Sequence, residues 1–143
     1  MKSEFFADTV FWIGLIRKDD QFHSIILCWQ KWLLKNGIQI VTTEVVFWEF
    51  LNACSGIRLR RLAVDSYLVC LKNPSVTVIP IKRKGLQSAI GMYQSRADKE
   101  WSLTDCHSFQ QMRQRKLTDA LTTDHHFQQA GFRALLLEEP PSP

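Results

Sequence analysis

Four acids stand where chemistry is possible. Asp105 and Asp124 lie at the edges of regular structure within the run Trp101 to Phe132, Asp8 ends the apolar run Phe5-Phe-Ala, and Glu49 interrupts the apolar helix pattern of Phe47, Trp48, Phe50 and Leu51. Two ionised carboxylates about 4 Å apart repel by about 4 kcal/mol at an effective dielectric of roughly 20, so such groups share a pocket only when a cation removes the conflict. All-oxygen ligation suits Mg2+ or Mn2+, and no Cys/His spacing suggests zinc. A cation so held can lower the pKa of a bound water, orient it and stabilise charge developing on a phosphodiester. Asp98, shortly before Trp101, is a lesser candidate for the same cluster.

Each acid also has a plainer reading. Asp105 can cap a helix opened by Ser102-Leu-Thr-Asp105, a capping-box spacing, and Asp124 can cap the short helix His125 to Ala130. Asp8 can cap a helix over Val10 to Arg17, and Asp98 can cap the Arg96 turn. Taken together, the four favour a shared site.

The elements that must position them alternate in type. Short apolar strands are expected at Phe5 to Val10, Ile38 to Thr43, Val76 to Ile81, Asp119 to Thr123 and Arg133 to Leu137. Helices are expected between them, at Phe22 to Leu34 with Asn36-Gly37 as its stop, Glu44 to Ala53, Ile57 to Leu71, Leu86 to Ala97 and from Asp105 onward. This alternation predicts an α/β domain of three layers around a mostly parallel sheet. In such a sheet ligands bind at the carboxyl ends of the strands, which is where Asp8 and Asp124 would emerge.

The run W-S-L-T-D-C-x-S-F-x-x-M, followed by L-T-D-A-L-T-T-D-H-H-F-x-Q-A-G-F, resembles the C-terminal half of PIN-domain nucleases, in particular the VapC-type toxins of prokaryotic toxin–antitoxin pairs. Asp8 and Glu49 match the family's first two acids by position. The resemblance implies a PIN-like α/β/α fold over residues 1–137, metal-dependent endoribonuclease activity carried by Asp8, Glu49, Asp105 and Asp124, a homodimer, and a cognate antitoxin. Residues 138–143 would form a flexible tail. The alternatives are a housekeeping RNA-processing PIN nuclease and a non-catalytic module that binds RNA or protein.

Composition is consistent with this. With 143 residues, 45% hydrophobic and 22% charged, the chain suits one globular domain, and its formal charge of +4 favours polyanionic partners. No segment approaches the roughly 20 apolar residues of a membrane span, and four scattered cysteines without a C-x-x-C pair read as reduced core residues of a cytoplasmic protein. Thr9, Ser102, Thr104 and Thr123 can hydrogen-bond ligating carboxylates or substrate. His125 and His126 can touch RNA without a catalytic role, and His107 reads as a helix-face residue. Arginines 58, 60 and 61 oppose a helix dipole, which suits either solvent or RNA phosphate.

Overall fold

A computed structural model describes residues 2–142, so the expectation of a flexible tail falls partly outside the described residues, at Pro143. The elements run β1 (Glu4–Ala7), α1 (Thr9–Ile16), α2 (His23–Lys35), β2 (Gln39–Thr43), α3 (Glu44–Ala53), α4 (Ile57–Lys72), β3 (Val76–Ile79), α5 (Arg83–Ser95), α6 (Leu103–Gln114), β4 (Asp119–Leu121), α7 (His125–Gln129) and β5 (Arg133–Ala134). The five strands form one sheet in the order β3-β2-β1-β4-β5, and every pairing is parallel.

Alternation along β1 explains the layers. Phe5 stacks on Trp32 of α2, while its neighbour Phe6 packs against Phe127 of α7, so successive side chains serve opposite faces. On the first face Trp12 of α1 meets Phe47 of α3. On the second, Phe109 of α6 touches Trp101, Phe127 and Phe132. The α/β/α architecture expected from the sequence is therefore present, with an all-parallel sheet.

Several boundaries differ from expectation for physical reasons. The basic triplet at 82–84 does not precede α5 but opens it, so the helix starts three residues earlier than Leu86. The strand expected at 119–123 stops at Leu121, because Thr122 turns its hydroxyl inward to a carboxylate. Only Arg133 and Ala134 of the closing strand pair with β4, and Leu135–Leu137 form a 3-10 turn instead. Cys54, Cys70 and Cys106 are buried, but Cys28 is exposed, because α2 buries the stripe of Ile26, Trp29 and Leu33 and turns position 28 away from it. Glu138 is anchored: its carbonyl accepts from Trp29 Nε1 at 2.9 Å and its carboxylate pairs with Arg133.

Candidate active site

The strand order reverses between β1 and β4, with β2 and β3 on one side and β5 on the other. The carboxyl ends of two strands that diverge in this way leave a crevice, the usual ligand position of an open α/β sheet. Asp8 follows β1 directly and Asp124 lies three residues beyond β4, so these acids flank that crevice.

Asp8 is almost fully buried, and although it stands at the N-cap position of α1 its side chain makes no capping bond. Instead Thr122 Oγ1 donates to Asp8 Oδ2 at 2.9 Å, and Thr122 Oγ1 in turn accepts the Asp124 backbone N–H at 3.0 Å. Below it, Thr42 donates to the Ala7 carbonyl at 2.9 Å and accepts from Trp12 Nε1 at 3.3 Å, which fixes the end of β1. Burial pushes the Asp8 carboxyl up to about 7; hydrogen bonds from Thr9 and Thr122 oppose this, and the charges of Asp105 and Glu49 add to it. The Thr9 hydroxyl beside it is buried and has no hydrogen-bond partner among the described residues.

Asp105 does what its spacing allowed and more. It closes a capping box, with Ser102 N–H donating to Asp105 Oδ2 at 3.0 Å and Asp105 N–H to Ser102 Oγ at 3.0 Å. The same Oδ2 lies 3.1 Å from His126 Nδ1, which is also 3.4 Å from Asp124 Oδ1. Burial holds the Asp105 carboxyl above the usual range, and the Asp124 charge reinforces this against the hydrogen bonds from Ser102 and His126. Asp124 likewise caps α7 through the His126 N–H, at 2.9 Å, and remains partly open to solvent. For Asp105 and Asp124 capping leaves the carboxylate also in contact with His126.

Glu49 is exposed on the outer side of α3, not enclosed by the apolar residues beside it in sequence, because Val46, Phe47 and Phe50 take the buried face. Its charge still acts on Asp8, so it sits on the open rim. Asp98 is elsewhere engaged, in a two-bond pair with the exposed Arg96 at 3.0 and 3.2 Å, and that guanidinium lies over the Trp101 ring. The sequence reading missed two participants: Thr122, which ties Asp8 to Asp124, and His126, which bridges Asp105 and Asp124. The Asp-x-His spacing at 124–126 was the available signal for the second, since the start of a short helix places both on one side.

The donor set is chemically suited to a divalent cation. It offers carboxylates with raised pKa values, a mutual repulsion among acids, and an orphaned hydroxyl at Thr9. Asp124, His125 and His126 also present ligand atoms within 4.8 Å of one another.

The five-stranded all-parallel sheet between helical layers is a PIN-like α/β fold, and solved structures of VapC proteins share it. Among solved structures, the chain is similar to the toxin VapC20 of Mycobacterium tuberculosis, described as cleaving the sarcin–ricin loop, with 25% identity, a TM-score of 0.78, and coverage of 90% of this chain and 95% of that one. It is also similar in fold to VapBC2 from Rickettsia felis, solved bound to a fragment of promoter DNA, with a TM-score of 0.67 and 13% identity over 92% of this chain and 96% of that one. No family profile matches the chain, and no curated protein sequence does. The resemblance to VapC-type PIN proteins read from the sequence thus holds at the level of three-dimensional structure along nearly the whole chain.

Proposed function

We propose that the protein is a divalent-metal-dependent endoribonuclease and the toxin of a type II toxin–antitoxin pair, acting on RNA in the cytoplasm. One set of contacts supports this reading: Thr122 ties Asp8 to the backbone of Asp124, His126 stands between Asp124 and Asp105, and the charges of Asp105 and Glu49 act on Asp8. Such a cluster opposes folding unless something positive is meant to enter it.

In this reading Asp8 and Asp105 are the buried ligands of Mg2+ or Mn2+, and Asp124 and Glu49 complete the site from its open side. The ion supplies charge neutralisation and an acidified water. Thr122 holds Asp8 in one rotamer, while Ser102 and His126 hold Asp105. Residues 1–137 make up the nuclease unit, with 138–143 as the tail beyond. The similarity to VapC20 makes a ribosomal RNA hairpin the first substrate to try.

An antitoxin has a candidate seat. Trp12, Leu15, Ile16, Leu62, Val69 and Cys70 line an apolar groove of about 300 Å³ between α1 and α4, and Val69 is 64% exposed there. Exposed apolar surface of this kind suits an amphipathic helix of a partner. Exposed Leu86, Ile90 and Tyr93 on α5 offer a second apolar strip, for a homodimer.

The test is cleavage of cellular RNA and of a sarcin–ricin hairpin by purified protein with Mg2+, Mn2+ or EDTA, beside folded Asp8→Ala and Asp105→Ala variants. Metal-dependent cutting lost in both variants supports the reading. Cutting that is equal in all three proteins, or absent from all, overturns it.

A further inference from the structure

A second polar pocket lies apart from the acids, between the start of α5 and the flank of α6. It encloses about 320 Å³ and is lined by Ile79, Pro80, Lys82, Lys84, Gly85, His107, Gln111 and Gln114. Four features of it lack an explanation within the fold.

The first turn of α5 has no side-chain cap and no acid, and the N–H groups of Arg83, Lys84 and Gly85 find no acceptor among the described residues. Free N–H groups at a helix start attract anions. Cations at 82–84 stand where they oppose the helix dipole, and none is ion-paired among the described residues. The nearby Glu44 is already committed to the Ile81 N–H. His107 is only 4% exposed and turns the Nε2–Cδ2 edge of its ring towards Gly85, while its Nδ1 has no hydrogen-bond partner among the described residues, an unfavourable arrangement for a buried polar atom. Finally, Gly85 keeps the wall open: a Cβ there would stand 3.5 Å from both His107 Nε2 and Gln111 Nε2.

We infer that this pocket is a nucleotide subsite, in which the start of α5 with Lys82 and Lys84 takes a backbone phosphate of single-stranded RNA and Gln111, Gln114 and His107 meet the edge of its base. The amides of Gln111 and Gln114 lie one turn apart on α6 and carry both donors and acceptors, the equipment that reads a base edge. The phosphate end supplies attraction and the amide end supplies choice. The subsite would hold a nucleotide flanking the one cut, so it rests on the reading of the protein as an RNA-cleaving enzyme and sets which RNA it prefers.

The test separates binding from cleavage by working in EDTA. Affinity for a fluorescein-labelled, mixed-sequence 12-nucleotide RNA is measured by anisotropy across a salt series for wild type, Lys82→Gln/Lys84→Gln, Gln111→Glu and Gly85→Ala. The double lysine variant is expected to bind about tenfold more weakly, with a log K against log salt slope shallower by about 0.7 for each phosphate that is no longer neutralised. Gln111→Glu, close in shape but negative, should weaken binding at least as much. Gly85→Ala is the sharpest probe. Its added methyl meets its neighbours at ordinary van der Waals distance and alanine favours the helix, so the variant should melt no lower than wild type while binding RNA several-fold more weakly. In a parallel titration with adenosine monophosphate, amide resonances of Gly85 and Gln111 should shift.

Wild-type affinity and slope in all three variants would overturn the subsite, as would a wild type that does not bind RNA. Monophosphate binding at the pocket with RNA affinity unchanged would overturn it as well, in favour of a free-nucleotide site. If the variants lose RNA while wild type never cuts RNA with metal, the subsite stands and the nuclease reading falls. If wild type cuts and the variants bind normally, the reverse holds.

Discussion

Thr122 Oγ1 donates to Asp8 Oδ2 at 2.9 Å and in the same position accepts the backbone N–H of Asp124, so one hydroxyl locks together acids that are 116 residues apart. Supporting groups of this type commonly change metal affinity by about 10–100-fold when removed. Thr122→Val, which keeps the shape and loses the hydroxyl, should weaken Mn2+ binding within that range by calorimetry, whereas Thr122→Ser should retain most of it. Equal Mn2+ affinity in the valine variant would contradict the role.

The Asp8 carboxyl gives the metal-free protein a defined pH dependence. Unfolded, it ionises near 3.8; folded, it keeps its proton to about 7. The native state therefore binds more protons between these values, and the Asp8 contribution to stability, full below about pH 4, is lost as pH rises to and through about 7. Melting temperatures in EDTA should fall over that window in wild type relative to Asp8→Asn, which lacks the titration. Saturating Mn2+ should flatten the difference.

His126 Nδ1 stands between Asp105 Oδ2, at 3.1 Å, and Asp124 Oδ1, at 3.4 Å, and so links the two acids. His126→Ala should lower the metal-free melting temperature, by about 1–3 kcal/mol of stability for a lost hydrogen bond to charge. Added Mn2+ should recover more stability in this variant than in wild type, measured by thermal shift.

Asp98 serves as the contrast. Its carboxylate is tied to Arg96 on the surface, so Asp98→Asn should leave Mn2+ affinity and RNA cleavage within about twofold of wild type. A loss comparable to that of Asp105→Ala would place it in the site after all.

Phe109 is fully buried and touches Trp101, Phe127 and Phe132, which together press α6 and α7 onto the sheet. Phe109→Ala should cost about 3–5 kcal/mol. Urea unfolding monitored by tryptophan fluorescence would measure it.

Much of this was legible in the sequence because it depends on local rules. Glu44 to Ala53 reads as a helix with either Thr42 or Thr43 able to cap it, and it is one, residue for residue, with Thr43 as the cap. The positions of Asp8, Asp105 and Asp124 at element edges follow from strand endings and a capping box. What did not show depends on the partner rather than the local chain. Glu49 reads as enclosed because its sequence neighbours are apolar, but helical rotation sends Phe47 and Phe50 inward and leaves Trp48 and Glu49 outward. Thr122 reads as the continuation of a strand, and only the parallel pairing of β1 with β4 reveals what its hydroxyl meets. Likewise the basic triplet at 82–84 reads as the lead-in to a helix from Leu86, whereas it forms the cap and first turn of α5.

The position of β1 in the middle of the sheet has a kinetic consequence. Its ladder with β2 closes over a modest stretch of chain, but the ladder with β4 joins Phe6 to Ala120 and so spans most of the chain. Pairings of such long range form late, because the chain entropy they consume is not recovered until they are complete. Asp8 and Asp124 are consequently expected to meet late in folding, which hydrogen-exchange labelling of β1 and β4 during refolding would check. Until β1 and β4 pair, chain connectivity alone leaves these acids unassembled, so any activity that needs them together depends on the longest-range pairing in the sheet.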